Sequence, residues 1–367
     1  MKLHFVYSIP QIGRKKPFQK IIWKVKKLFL EYFNSTLFLR KRRYEICDFN
    51  DWPVQSPFEN TKNIYLALNK IWPTYLYHLT ERSKIKFDTD DIFLGHPYFP
   101  ITATEKGVTE FAIITKKRPK LKAIITPLHC NLTIKTSHIN LDFLNHVDKM
   151  VPNCDILFGI MGEYWWVQWK TSKFAHWQTK MVRLDMAVNT SNYPKVKNTF
   201  NLKGKRRFLF IGRNDPMKGS EFLSELALSL PQFEFGWIGS GSEIRGLKRI
   251  SSFVRLTPDF MKAIALEYDF FISPSLADPN PTTILESMAW GFPVLSTIES
   301  GYYESDVITN IFSNDLEKSK VVLEKYQYLD EDDLITISNN ARNYVCLNHS
   351  WDKFTQTICS TILKKYV

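Results

Sequence analysis

The chain has 367 residues, of which 44% are hydrophobic and 14% aromatic. This length is enough for two domains of about 150–200 residues each. The apolar content supplies two hydrophobic cores and excludes a disordered chain. The formal net charge is +12 at pH 7.

The cysteines are scattered, odd in number and never arranged as a C-x-x-C pair. This pattern argues against a disulfide framework or a structural zinc site and favours a reducing compartment. The five residues are Cys47, Cys130, Cys154, Cys346 and Cys359. No apolar run approaches the ~18–20 residues of a membrane-spanning helix. Only Lys2 precedes the first apolar stretch and the other nearby lysines follow it, unlike in a signal peptide, so we expect a cytoplasmic protein.

Positive charge is concentrated near the N-terminus. The segment Arg14–Arg43 contains eleven lysines or arginines and one acidic residue, Glu31, with apolar side chains between them. Such a segment can lie on an anionic membrane surface, which would place the protein peripherally on the inner face of the membrane. A solvated surface helix packed on its own domain fits the pattern equally well. Nucleic acid is not an expected partner, because no recognition motif accompanies the charge.

Apolar runs in the first half of the chain predict buried parallel strands. They are the opening run KLHFVYSIP, which ends in a turn at Gly13, and residues Asp91–Pro97, Lys122–His129 and Cys154–Gly162. Helices are predicted over Asn60–Leu79 and Leu141–Met150. The polar stretch Asn189–Lys203 lacks periodicity and is predicted to be a linker.

The second half alternates strands with helices more regularly. Predicted strands are Arg206–Gly212, Gln232–Gly239, Tyr268–Ser275 and Pro293–Thr297, and predicted helices are Gly219–Leu230, Pro258–Leu266 and Pro281–Trp290. This alternation predicts an α/β domain with a doubly wound parallel sheet, whose ligands bind at the carboxyl ends of the strands. An amphipathic helix is expected at the C-terminus.

The stretch SPSLADPNPTTILESMAWGFPVL carries the clearest chemical signal. Asn280 is expected to cap a helix whose first residue is Pro281. The backbone N–H groups of Thr282 and Thr283 would then form an anion site at the helix start. Gly291 is expected to end this helix.

Two acidic residues flank the predicted anion site. Asp278 precedes the helix and Glu286 lies on its second turn. Carboxylates accept hydrogen bonds from sugar hydroxyls while backbone donors bind phosphate oxygens, so the pair suits a ligand that carries both groups. Taken alone, an acid pair at this spacing has a structural role as often as a functional one.

These residues resemble the signature of glycosyltransferase family 4, the group 1 glycosyltransferases, which is E-x7-E followed by L-E-A-M-A-x-G-x-P-V. Asp278 and Glu286 occupy the two acidic places. The other matching residues are Leu285, Met288, Ala289, Gly291, Pro293 and Val294. The chain departs from the signature in having Asp278 for the usual Glu and Pro279 where Gly is common, which leaves the donor sugar open.

A second matching block is FIGRNDPMKG, where a predicted strand ends at Gly212. The resemblance implies that Arg213 and Lys218 hold the donor diphosphate, and preorganised cations would stabilise the charge of that leaving group. Two solvated surface cations are the alternative interpretation. In the first half, the resemblance implies that Gly13 approaches the donor and that His129 faces the donor sugar.

The resemblance implies the GT-B fold, in which two Rossmann-like doubly wound domains face each other across a cleft. Residues 1–189 would form the acceptor domain, with a terminal helix at 349–367 crossing back to it, and residues 190–348 the donor domain. The implied enzyme is a hexosyltransferase that requires no metal or cofactor. It would transfer sugar, with retention of configuration, from a nucleotide-diphosphate sugar to a glycan or lipid-linked acceptor, as in polysaccharide biosynthesis.

The expected site consists of two sets of residues. The catalytic set is Asp278, His129, Arg213 and Lys218. The donor-binding set is Gly13, Gly212, Arg213, Lys218, Asn280, Pro281, Thr282, Thr283 and Glu286. Alternative functions are a nucleotide-sugar epimerase of related fold and a non-catalytic sugar-nucleotide-binding protein.

Three other features allow two interpretations each. His96 ends another predicted strand and is either a site residue or a packing residue. The residues Asp88–Asp90 form a D-x-D sequence, but they precede a strand instead of following one, which disfavours a metal site. The aromatic run Glu163–Trp177 either stacks on acceptor sugars or lipid, or packs in the core, and its spacing favours the core.

Overall fold

The structure is a computed structural model that describes residues 1–7, 56–78, 85–97, 119–134, 139–252 and 255–366. These residues form two parallel six-stranded sheets with helices on their faces. The predicted α/β class with two doubly wound domains is therefore confirmed. Gly13 and the segment Arg14–Arg43 lie outside the described residues.

The first sheet has the strand order β2-β1-β3-β4-β5-β6. Its strands are β1 (Leu3–Tyr7), β2 (Thr74–His78), β3 (Ile92–His96), β4 (Leu121–Pro127), β5 (Ile156–Ile160) and β6 (Met181–Leu184). The helices of this domain are α1 (Ser56–Asn69), α2 (Leu141–Asp148) and α3 (Glu163–Trp169). Every residue of β1, β3 and β5 is buried, as expected for parallel strands covered on both faces.

The second sheet has the order β12-β11-β10-β7-β8-β9. Its strands are β7 (Arg207–Ile211), β8 (Glu234–Ile238), β9 (Lys248–Ser251), β10 (Phe270–Ser273), β11 (Val294–Ser296) and β12 (Ile308–Asn310). The helices that follow or separate them are α4 (Ser220–Ser229), α5 (Pro258–Glu267), α6 (Thr282–Trp290), α7 (Leu316–Tyr328) and α8 (Glu331–Asn348).

Alternating side chains of β7 enter two different cores. Phe208 and Phe210 pack in the core that includes α4 and α7, whereas Leu209 and Ile211 pack in the core that includes α6 and α8. The side chains of a strand point alternately to its two faces, so one strand supports both helix layers. The sheet thereby holds α6, which carries the predicted anion site, in a fixed position.

The last helix, α9 (Trp351–Tyr366), packs against α1 and β4 of the first sheet. The domain boundary predicted after residue 189 lies between β6 and β7. None of the described helices is long and apolar enough to cross a membrane.

The helix predicted over Asn60–Leu79 is wrong in its second half. Helix α1 ends at Asn69, and Thr74–His78 form the edge strand β2 instead. The sequence TYLYH has the aromatic and β-branched residues that favour strands, and it pairs in parallel with β1. The predicted linker also differs, because it contains a short 3₁₀ turn at Thr190–Asn192 and the fully buried Lys197.

Candidate donor site at the facing edges of two sheets

The predicted anion site lies at the start of α6, but its capping differs from the prediction. The helix begins at Thr282, and Pro281 occupies the capping position in an extended conformation. No side chain among the described residues caps this helix start. The first backbone N–H groups, including those of Thr282 and Thr283, therefore have no side-chain acceptor there and suit an anionic ligand. The predicted helix end is confirmed, since Gly291 follows Trp290 with a φ of 91°.

Asn280 has a different role from the predicted one. Its side chain is buried, and its Oδ1 accepts a hydrogen bond of 2.5 Å from the backbone N–H of Met186. Asn280 therefore ties the loop before α6 to the segment that follows the first sheet. Its Nδ2 is buried and lacks a hydrogen-bond partner within the described parts of the chain.

Lys218 and Asp278 form an ion pair at the predicted site. The two side chains are only 20% and 9% exposed. Lys218 ends a 3₁₀ turn, and Gly219 follows it with a φ of 69°. A Cβ on Gly219 would lie 1.8 Å from the backbone oxygen of Pro274, so only glycine lets this turn approach the loop that carries Asp278.

Gly212 and Arg213 follow β7 on the same edge of the sheet. The backbone N–H of Gly212 donates to Ile238 O at 3.0 Å, and its carbonyl accepts from Trp237 Nε1 at 2.8 Å. Gly212 therefore uses both backbone groups within the fold. The side chain of Arg213 is 46% exposed, and its Nη2 lies 3.6 Å from Asp215 Oδ2. The guanidinium thus stays accessible to a ligand at this edge.

Glu286 lies half-buried on α6, and its carboxylate accepts hydrogen bonds from Thr282 and Tyr193. Burial raises its pKa to about 7 although both hydrogen bonds lower it, and the charge of Glu59 on α1 raises it further. Burial and the nearby Glu286 also raise the pKa of Tyr193, so the phenol stays a hydrogen-bond donor. Sequence reasoning missed Tyr193, because the polar stretch around it was predicted to be a linker.

His129 follows β4 on the edge of the first sheet that faces the second domain. The residue is fully buried, and its ring centroid lies 5.5 Å from that of Trp165. Burial lowers the pKa of His129 to about 4, while the charge of Asp278 acts to raise it. The imidazole is therefore neutral near pH 7, and it lies close enough to Asp278 of the second domain for that charge to affect its pKa.

His96, at the end of β3, is engaged within its own domain. Its Nδ1 lies 2.8 Å from the carbonyl oxygen of Ile125, and burial lowers its pKa to about 4. The histidine donates from Nδ1 in the neutral tautomer, because a carbonyl oxygen can only accept. This arrangement matches the packing interpretation of His96.

The aromatic run packs in the core of the first domain, as its spacing indicates. Trp165, Trp169 and Trp177 are all buried there. The residues Asp88–Asp90 lie before β3, at the amino edge of the sheet opposite the site. Asp88 pairs with Lys2 at 3.0 Å, and the described residues contain no cluster of three potential metal ligands.

The arrangement combines the groups that a sugar nucleotide requires. Cations and an uncapped helix start suit a diphosphate, and carboxylates suit hydroxyl groups. These groups come from separate strands and converge on one edge because the strands of each sheet are parallel.

Comparison with known proteins agrees with this arrangement. Residues 205–315 match the family model of "Glycosyl transferases group 1". No curated protein sequence matches the chain.

Solved structures resemble 84–100% of the chain in fold, at 11–12% sequence identity. A sucrose-phosphate synthase from Thermosynechococcus elongatus aligns with a TM-score of 0.60 at 12% identity, covering 84% of this chain and 93% of its own. A trehalose-6-phosphate protein from E. coli bound with UDP-2-fluoro glucose gives 0.59 at 11% identity, covering 100% and 99%. WaaG, a glycosyltransferase involved in lipopolysaccharide biosynthesis, gives 0.53 at 12% identity, covering 85% and 96%.

Such distant likeness establishes the fold alone, whereas the family match covers most of the residues described above. Gly212, Arg213, Lys218, Asp278 and Glu286 all lie inside the matched region. Residues 205–315 of the second domain therefore match a group 1 glycosyltransferase domain, within a chain that has the GT-B fold.

Proposed function

We propose that this protein transfers a hexose from a nucleotide-diphosphate sugar to a glycan or lipid-linked acceptor, with retention of configuration and without a metal ion. The observation that carries the proposal is the convergence of Lys218, Asp278, Glu286 and the uncapped start of α6 within the matched family region. The structural relative bound with UDP-2-fluoro glucose supports a donor of this kind.

The donor diphosphate is assigned to the start of α6, with Lys218 and Arg213 beside it. An ammonium group has three N–H donors and Asp278 accepts from one of them, so Lys218 can bind a phosphate oxygen without leaving Asp278. Negative charge grows on the diphosphate as it departs, and these fixed positive groups stabilise it. The buried Nδ2 of Asn280 supplies a further donor for a ligand oxygen.

The sugar is assigned to Asp278 and the ribose to Glu286. Asp278 lies in the loop before α6, and its charge reaches His129 of the first domain, whereas Glu286 lies farther along the helix. In the transfer, the bond from the anomeric carbon to the diphosphate oxygen breaks and a bond to the acceptor oxygen forms. The acceptor hydroxyl loses its proton to the departing diphosphate on the same face of the sugar.

The test begins with a panel of nucleotide-diphosphate sugars, each added to the protein in a thermal unfolding experiment. A ligand at 100 times its Kd stabilises the folded state by about 2.7 kcal/mol, which is easily measured. The stabilising donor is then incubated with candidate acceptors, and the anomeric configuration of the product is determined by NMR.

We expect one nucleotide-sugar to stabilise the protein and to give a retained glycoside in the presence of EDTA. Conversion of the donor sugar to its epimer without any acceptor would identify an epimerase instead. Binding without turnover on any acceptor would favour a non-catalytic sugar-nucleotide-binding protein. No stabilisation by any member of the panel would overturn the assignment of the donor site.

A further inference from the structure

The first domain holds the loop that carries the proposed sugar-binding acid. We call Leu276–Pro279 the acidic loop. Asn131 Nδ2, from the segment after β4, donates to Leu276 O at 3.0 Å. The backbone N–H of Gly162, at the end of β5, donates to Pro279 O at 2.7 Å. Two strand ends of one domain thus bind the main chain of a loop in the other.

The indole of Trp165 supplies the central contact. Its Nε1 lies 2.8 Å from Asp278 O and 3.2 Å from Glu299 O. The backbone N–H of Asp278 donates to the same Glu299 oxygen at 3.1 Å. Trp165 is only 3% exposed, so its N–H makes these contacts away from solvent. One indole therefore fixes the backbone of Asp278 against the turn that contains Glu299.

Two glycines, Gly162 and Gly301, allow the two domains to approach closely at this point. A Cβ on Gly162 would lie 2.0 Å from the carbonyl oxygen of Gly301, which also accepts from Tyr164 N at 3.2 Å. Gly301 has a φ of 94°, a conformation that favours glycine. The contact therefore depends on two glycines, one from each domain.

We propose that Trp165 is a positioning residue for sugar transfer, supplied by the first domain to the acidic loop of the second. The inference rests on the proposed function. The groups assigned to the nucleotide, Glu286 and the start of α6, belong to the second domain. Asp278 also belongs to the second domain, but its backbone carbonyl accepts a hydrogen bond from Trp165 of the first domain. Loss of the indole N–H should therefore impair transfer and leave nucleotide binding intact.

The size of the effect follows from the geometry of transfer. A misplacement of about 1 Å in a positioned group can cost about 100-fold in rate. Phenylalanine keeps the aromatic packing and removes the N–H, so Trp165→Phe is expected to lower kcat about 10- to 100-fold. The Kd for the nucleoside diphosphate of the donor found in the panel should change less than about twofold.

The matched control is Trp169→Phe in the same helix α3. Trp169 is also fully buried, and its Nε1 donates to Phe174 O at 3.1 Å within the first domain. Both variants lose one buried indole N–H donor, so both should lose stability of the same order. Only Trp165→Phe should lower kcat. Asn131→Ala, at a half-buried position, is a second variant that should lower kcat in the same direction if Trp165→Phe folds poorly.

Hydrogen exchange of the protein without ligands tests the contact separately from activity. Trp165→Phe should speed exchange of the Asp278 amide, and Trp169→Phe should not. The proposal is overturned if kcat and exchange are unchanged in Trp165→Phe, if both variants lose kcat equally, or if nucleotide affinity falls as much as kcat. Failure of the donor panel would instead count against the proposed function, because the exchange result does not depend on it.

Discussion

Replacement of Lys218 by methionine should strongly destabilise the second domain. Methionine keeps most of the length and apolar surface of the side chain but leaves the buried carboxylate of Asp278 without its cation. Removal of one partner from a buried ion pair costs about 3–5 kcal/mol. Lys218 is 20% exposed, so we expect the lower end, about 3 kcal/mol. For a domain of this size the Tm should fall by about 6–12 °C.

A double variant separates this charge effect from lost packing. Lys218→Met combined with Asp278→Asn leaves no uncompensated charge, and uncharged replacements of buried ion pairs are often neutral for stability. The double variant should therefore recover most of the lost Tm in differential scanning calorimetry. It should remain inactive, because both groups assigned to the donor are gone.

Two results would refute this reasoning. An unchanged Tm in Lys218→Met would mean that the Asp278 carboxylate does not depend on the ammonium group. A double variant no more stable than Lys218→Met would mean that the loss came from packing of the methylene chain. In either case Lys218 would have to be regarded as a surface cation rather than as part of a preorganised site.

Four further predictions concern the site and the basic N-terminal segment. Asp278→Asn should spare affinity for the nucleoside diphosphate and lower sugar transfer, whereas Glu286→Gln should chiefly weaken nucleotide binding. Calorimetry with the nucleoside diphosphate, together with turnover measurements, would show whether these roles are reversed. Burial raises the pKa of Glu286 to about 7, so a falling pH neutralises the carboxylate that we propose accepts from the ribose hydroxyls. Nucleotide affinity should therefore weaken by up to about tenfold per pH unit below that pKa, and a Glu286→Gln variant with the same pH dependence would exclude Glu286 as the cause. Turnover should survive EDTA, and its loss with recovery in manganese would establish a metal requirement. The segment Arg14–Arg43, outside the described residues, should bind anionic vesicles less as salt rises, and equal binding to neutral vesicles at low salt would refute the membrane hypothesis.

Patterns local to the sequence predicted the frame of the site. Buried apolar runs identified the strands β1, β3, β4, β5, β7, β8, β10 and β11, because fully covered parallel strands are apolar on both faces. The end of α6 was predicted correctly, since Gly291 supplies the left-handed cap that few other residues tolerate. The positions of Arg213, Asp278 and His129 after strands correctly predicted that they lie at the carboxyl edges of their sheets.

Short and polar strands escaped prediction. The strands β6, β9 and β12 have three or four residues each and include polar or charged side chains, so no continuous apolar run marks them. The sequence of β2 predicts the end of a helix, because its pairing with β1 depends on residues some seventy positions away. The position of Asn280 predicts a helix cap, but the backbone N–H of Met186 donates to its side-chain oxygen instead.

The sequence by itself determined which groups form the proposed donor site, because strand ends and helix starts are properties of neighbouring residues. Only the tertiary structure decided how those groups pair. Lys218 and Asp278 are 60 positions apart, and Trp165 and Asp278 are 113 apart and in different domains. The pKa of Glu286 likewise depends on burial and on Tyr193, outside its own helix. Such pairs form only when packing places separate elements in contact, and no local pattern encodes that packing.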